Sequence, residues 1–281
     1  MKLGVKLVHK TQDPEQWALR LAEKGYQAGE CPLNAEASDA DISLLRKMTK
    51  THDLVVAEVG VWNSPLDRDP LIRQQSVDYC QQQLALADKV GARCCVNISG
   101  SRGPVRNGPD AQNFTEDTFA LVVDTVRDII DVVKPKRTFY ALECMPFMVP
   151  DSIASYQRLI KAIDREAFAV HFDPVNMILT PRDYYHNGAM IQKFLQTFGH
   201  KIKSCHAKDV QIQPGFPVHI QEVRPGLGQL DYATYIREIN KIDPNLPLII
   251  EHLHTEEEYQ QAFQYITEVE NTKIAISPFS L

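Results

Sequence analysis

Four side chains in the second half of the chain have the types and spacing of a metal-dependent site. Glu143, Asp173, His206 and Glu251 each stand last or nearly last in an otherwise apolar run: "TFYALE", "FAVHFD", "IKSCHAKD" and "LPLIIEH". Their separations are 30, 33 and 45 residues. A carboxylate at the mouth of a buried run is costly unless it is paired or holds a cation. Three carboxylates brought together raise one another's pKa unless positive charge neutralises them. With one imidazole they form a mostly hard donor set. It suits manganese or magnesium, with cobalt and zinc as alternatives, and leaves positions for substrate oxygens.

The elements that must position these groups follow from periodicity. Besides those four runs there are "LGVKLV" from Leu3, "YQAGE" from Tyr26, "LVVAEVGV" from Leu54 and "RCCVNIS" from Arg93, making eight predicted strands. Helical segments alternate with them. In "DPEQWALRLAEKG", for example, Trp17, Leu19, Leu21 and Ala22 form one apolar face and Gly25 is the stop. Strict strand and helix alternation implies an α/β fold with a parallel sheet, and eight units predict a single (β/α)8 TIM barrel over residues 1–281. The first strand-to-helix turn has no GxGxxG, which removes the main sign of a dinucleotide fold. In a barrel the chemistry sits at the C-terminal strand ends, where the four candidate ligands fall.

Composition narrows the partners. With 44% hydrophobic and 23% charged residues the chain can bury a sizeable core. A formal net charge of -6 with mixed signs argues against nucleic acid. No apolar run approaches the ~18 residues of a membrane span, and the N-terminus carries no secretory pattern, so a cytoplasmic location away from membranes is expected. Six cysteines without a CxxC pair read as reduced thiols with no chemistry.

"YALECMP", "HFDPVNM", "KSCHAKD", "RPGLGQLDY" and "LIIEHLH", with "AEVGVWNSPLDRDP" and "LADKVGA" earlier, resemble the xylose isomerase-like TIM-barrel family. That family groups sugar (phosphate) isomerases and epimerases with inosose dehydratases and the endonuclease IV branch of DNA repair. The resemblance implies a metal held by Glu143, Asp173, His206 and Glu251. It also implies a keto sugar chelated through two neighbouring oxygens and a cis-enediolate, with Glu143 and Glu251 moving the proton. Two positions depart from the ketose 3-epimerase pattern: Asn176 stands where a histidine is usual, and Ile212 near the place of an arginine. The repair branch needs a three-metal cluster with many more histidine ligands, including one three residues after the strand-six aspartate, and that one is absent.

Further residues are candidates for substrate binding. His9, Glu58, Trp62 and Asn97 end or nearly end the first four strands, as does Glu30, where family members line the sugar pocket. Trp62 offers an apolar face to sugar CH groups, and Glu58 could bind hydroxyls. Asn176 can donate to a sugar hydroxyl. Lys208 could reach a substrate oxygen or pair with Asp209 or a rim carboxylate. His171, two residues before Asp173, is either a group that orients a ligand carboxylate or a core histidine. The stretch from Val210 to Gly228 is long for a βα connection. It reads as a lid bringing Arg224 or His219 onto substrate, or as a subunit contact in a homo-oligomer.

The leading expectation is a metal-dependent carbohydrate isomerase or epimerase acting beside a carbonyl. The alternative is a lyase with the same site, a keto-inositol dehydratase or an enzyme cleaving 3-keto glycosides. A sugar-binding barrel or subunit without its own turnover is a third reading.

Overall fold

The computed structural model describes residues 1–274, and the last seven residues of the predicted domain lie outside them. Eight parallel strands close into a barrel: β1 (Lys2–Val5), β2 (Ala28–Glu30), β3 (Val55–Gly60), β4 (Cys94–Asn97), β5 (Tyr140–Glu143), β6 (Phe168–Phe172), β7 (Ile202–Ala207) and β10 (Pro247–Ile250). β1 pairs with both β2 and β10, which closes the ring. Each strand coincides with one of the apolar runs.

Helices α1 (Pro14–Glu23), α2 (Asp39–Thr51), α3 (Pro70–Val90), α4 (Glu116–Val133), α5 (Ile153–Ile163), α7 (Asn187–Phe198), α8 (Tyr232–Ile242) and α9 (Glu256–Ile274) fill the predicted segments, and a short α6 (Pro181–Tyr185) precedes α7. Local chemistry sets their ends. Asp13 caps α1 by accepting from the Glu15 and Gln16 amides, and Pro14 occupies the first turn, where no amide donor is needed. Gly91 ends α3 at φ 80°, a left-handed conformation open to glycine. The buried face of α1 is Trp17, Ala18 and Leu21, whereas Leu19 points outward. That corrects the predicted face: the stripe runs i, i+1, i+4, and Leu19 falls beside it. Burying a side chain such as Leu21 contributes about 1.5–3 kcal/mol.

Two layers of core result. Large side chains such as Leu45, Leu84, Ile129, Leu159 and Phe194 pack between strands and helices. Inside the barrel the apolar residues are mostly small, with Ala28 and Ala57 in one cluster and Cys94, Ala141 and Ala169 in another. Small interior residues leave volume for a stack of buried polar groups.

The segment after β7, long for a βα connection, is in large part regular structure. β8 (Asp209–Gln213) and β9 (His219–Val223) form an antiparallel hairpin with Asp209 opposite Val223 and Gln213 opposite His219. Alternation of Val210 and Ile212 with polar neighbours, mirrored by Ile220 after a Pro214-Gly215 turn, carries the signal. Among the described residues no helix is long and apolar enough to cross a membrane.

Candidate metal centre

Glu143 ends β5, Asp173 follows β6, His206 is the penultimate residue of β7, and Glu251 follows β10. Register brings them level, since Glu143 pairs with His171 and Ile249 with His206. One donor atom from each of the four lies within 4.8 Å of the others, and all four side chains are buried. His206 Nδ1 sits 2.9 Å from Glu251 Oε1, 3.2 Å from Glu143 Oε1 and 3.7 Å from Asp173 Oδ2. Bonds of about 2.1 Å to one ion place donors roughly 3–4 Å apart, so the spacing fits a single divalent cation. Asp173 Oδ1 accepts from the Val175 amide, while Oδ2 accepts no hydrogen bond of acceptable geometry. Oδ2 thus faces the other donors and the Lys208 ammonium and takes no backbone amide.

Lys208 supplies the nearest charge. Its Nζ lies 2.7 Å from Asp173 Oδ2 and 2.8 Å from Glu251 Oε1, and Asp209 is not its partner. The Asp173 contact is therefore an ion pair by distance, without hydrogen-bond alignment. Burial opposes charge on Asp173 and Glu251, but Lys208 and His206 outweigh it and hold both well below the carboxylate range. Burial dominates at Glu143 and pushes its carboxyl up to about 7. At His206 burial favours the neutral ring, yet Glu251 and Glu58 raise its pKa well above normal.

Above the cluster opens a cavity of about 320 Å³, lined by Glu143, Glu251, Trp62, Asn176 and Lys208 among others. Asn176 Nδ2 donates to Glu143 Oε1 at 3.2 Å and to the Cys144 carbonyl at 3.1 Å, so it orients a carboxylate as well as lining the wall. Lys6, Arg106, Glu222 and His252 also line the cavity and are not among the sequence candidates. Lys6 had a signal, being the one charged residue inside "LGVKLV", and His252 follows Glu251 directly. Arg106 lies in a Gly- and Pro-containing loop that has no periodicity to read.

Six expected pocket residues do not line this cavity, Glu30 among them, which faces a separate pocket beside Trp17. His9 is exposed on the loop after β1, where its carbonyl accepts from Arg20. Asn97 is fully buried and braces the β3–α3 connection through the Asn63 amide and side chain. Arg224 turns back to the Pro225 carbonyl and does not line the cavity. Glu58 is 3% exposed and lies beneath His206, with Oε1 3.3 Å from His206 Nε2. A residue so placed cannot meet a sugar in the cavity. His219 lines a separate groove beside the hairpin. His171 is fully buried, with its ring centroid 4.1 Å from that of His206 and neither ring nitrogen hydrogen-bonded.

Comparison with known proteins adds the fold's relatives. A family model described as xylose isomerase-like TIM barrel matches residues 19–269. A xylose isomerase-like TIM barrel protein of Mycobacterium smegmatis, solved with magnesium, superposes with a TM-score of 0.69 at 15% identity, covering 96% of this chain and 97% of that one. D-psicose 3-epimerase of Clostridium cellulolyticum H10, solved with D-tagatose, gives 0.68 at 16% identity over 97% and 99%. The 3-keto-D-glucoside 4-epimerase of E. coli gives 0.70 at 14% identity over 95% and 99%. At such identities the likeness is one of fold. None of the proteins of curated function matches in sequence.

Proposed function

The chain belongs to the xylose isomerase-like TIM barrel family, and from that membership we propose a metal-dependent carbohydrate isomerase or epimerase acting by proton transfer beside a carbonyl. One observation carries this reading: of the four convergent donors, Glu143 and Glu251 also face the open cavity. A divalent ion, manganese foremost, held by Glu143, Asp173, His206 and Glu251 would supply the positive charge that stabilises an enediolate. Magnesium accompanies the M. smegmatis relative.

The chain's own groups divide the proton work. Glu143 and Glu251 both face the cavity, one to take the proton from carbon and the other to return it. Asn176 fixes Glu143, the Trp62 indole covers the CH face of the ring, and Lys208 stands ready for a substrate oxygen. The volume, at the lower end of the roughly 300–1,000 Å³ range of ligand pockets, suits one sugar ring.

Mass spectrometry of keto sugars incubated in D2O with the manganese-loaded protein tests the proposal. Deuterium should enter at the carbon beside the carbonyl, stop on chelation with EDTA and return with metal. Incorporation should fall about 10²–10⁴-fold in Glu251→Gln. Release of water or an aglycone alongside deuterium would replace isomerisation by elimination. No incorporation across free, phosphorylated and glycosidic keto sugars would overturn the reading.

A further inference from the structure

Glu58 occupies a position that alternation along β3 would not give it. Glu30 pairs with Glu58 while Gly29 pairs with Val56, so Ala57 is a bulge residue, and Ala57 and Glu58 both turn inward. A second bulge on β7 skips Lys203, since Val170 pairs with Ile202 and His171 with Ser204. The two irregularities bring Ser204, Glu58 and His206 into contact inside the barrel. The Ser204 hydroxyl donates to Glu58 Oε2 at 3.0 Å, and Glu58 Oε1 lies 3.3 Å from His206 Nε2. His171 Nδ1 is 3.6 Å from Oε2, beyond hydrogen-bonding reach.

Among the described residues no lysine or arginine pairs with Glu58. A carboxylate that deep costs several kcal/mol unless a partner compensates it, and the imidazole of His206 is the partner in range. The other ring nitrogen, Nδ1, faces Glu143, Asp173 and Glu251. A histidine can offer a lone pair at Nδ1 while it donates from Nε2, and a carboxylate at Nε2 selects that tautomer and raises the basicity of Nδ1.

We infer that Glu58 is the positioning residue of the metal centre: it holds the proton on His206 Nε2, leaves Nδ1 free for the ion, and is itself oriented by Ser204. The inference rests on the proposed metal site and assigns Glu58 no contact with substrate.

The test is zinc affinity by competition with a chromophoric chelator, combined with long-range ¹⁵N–¹H NMR of the zinc-loaded, histidine-labelled protein. In the wild type His206 should carry its proton on Nε2 with Nδ1 bound. Glu58→Ala should weaken zinc about 10–100-fold. Glu58→Gln, whose amide oxygen still accepts, should lose less, and Ser204→Ala should shift affinity in the same direction. Those two variants carry the test if Glu58→Ala does not fold. Unchanged affinity in folded variants, or His206 bound through Nε2, would overturn the inference and leave the metal centre standing. Failure of the wild type to bind zinc or manganese would remove the metal centre itself, and the role of Glu58 with it.

Discussion

Lys208 Nζ lies 2.7 Å from Asp173 Oδ2, so an ammonium of the chain is paired with a carboxylate of the candidate metal centre. The same nitrogen reaches Glu251 Oε1 at 2.8 Å. Both partners are buried, which keeps water from screening the pair. Lys208→Met removes the charge and keeps most of the stem. In EDTA this variant should lose about 3–5 kcal/mol in urea unfolding, because two buried carboxylates lose a counter-charge. Manganese should then stabilise it by more than it stabilises the wild type. Equal metal-free stabilities would show that the pair contributes nothing.

Asp209, next along the chain, organises the return from the hairpin. Its carboxylate accepts from the amides of Val210, Gly226, Gly228 and Leu230 at 2.8–3.0 Å. A Cβ on Gly228 would lie 2.2 Å from the Val210 carbonyl oxygen, so that glycine is required for the close approach. Asp209→Ala leaves the buried Val210 and Leu230 amides unsatisfied, at about 1–3 kcal/mol each. The expected result is at least tenfold faster hydrogen exchange at Gly226, Gly228 and Leu230, with less change in Asp209→Asn. Retained protection in the alanine variant would contradict this anchoring role.

Period and length made the barrel legible. Eight apolar runs separated by helical segments have few other ways to bury their faces, and the ends of β5, β6, β7 and β10 then fall together at one mouth. The bulges were not legible. A single extra residue at Ala57 or Lys203 leaves the apolar pattern intact while turning the following side chain to the other face. Glu58 therefore reads as a strand-end pocket group yet lies one layer down. Arg106 and Glu222 reach the cavity from a loop and a hairpin whose paths depend on tertiary contacts, so their position along the chain says little about where they arrive.

His171 makes a signed prediction for the metal-free protein. Burial, reinforced by the neighbouring His206 charge, lowers its pKa from 6.5 to about 3. Below about 6.5 the unfolded chain takes up a proton that the folded protein refuses until about 3. Its contribution to stability is therefore full above 6.5 and is lost as pH falls toward 3, at up to about 1.4 kcal/mol per pH unit. Glu143, raised toward 7, has the opposite slope, but it is common to wild type and variant and cancels in their difference. Urea unfolding of His171→Gln in EDTA from pH 7 to pH 4 should show a shallower fall than the wild type. Identical slopes would mean that His171 is protonated in the folded protein.

Trp62 and His252, both on the cavity wall, hold left-handed backbone conformations, at φ 52° and 63°. For a residue with a Cβ this costs roughly 1–2 kcal/mol, and such strain persists where surrounding structure imposes it. Gly60 lets the indole lie where it does, since a Cβ there would come within 2.3 Å of Trp62 Nε1. Backbone strain and ligand contact can be separated at Trp62. Trp62→Ala and Trp62→Gly both remove the indole, and both should raise the apparent KM for a keto sugar, while Trp62→Phe should retain part of the affinity. In urea unfolding, however, the glycine variant should be the more stable of the two by about 1 kcal/mol, against the usual order for these residues. If alanine proved as stable as glycine, position 62 would carry no backbone strain, and the conformation would be one the loop adopts freely.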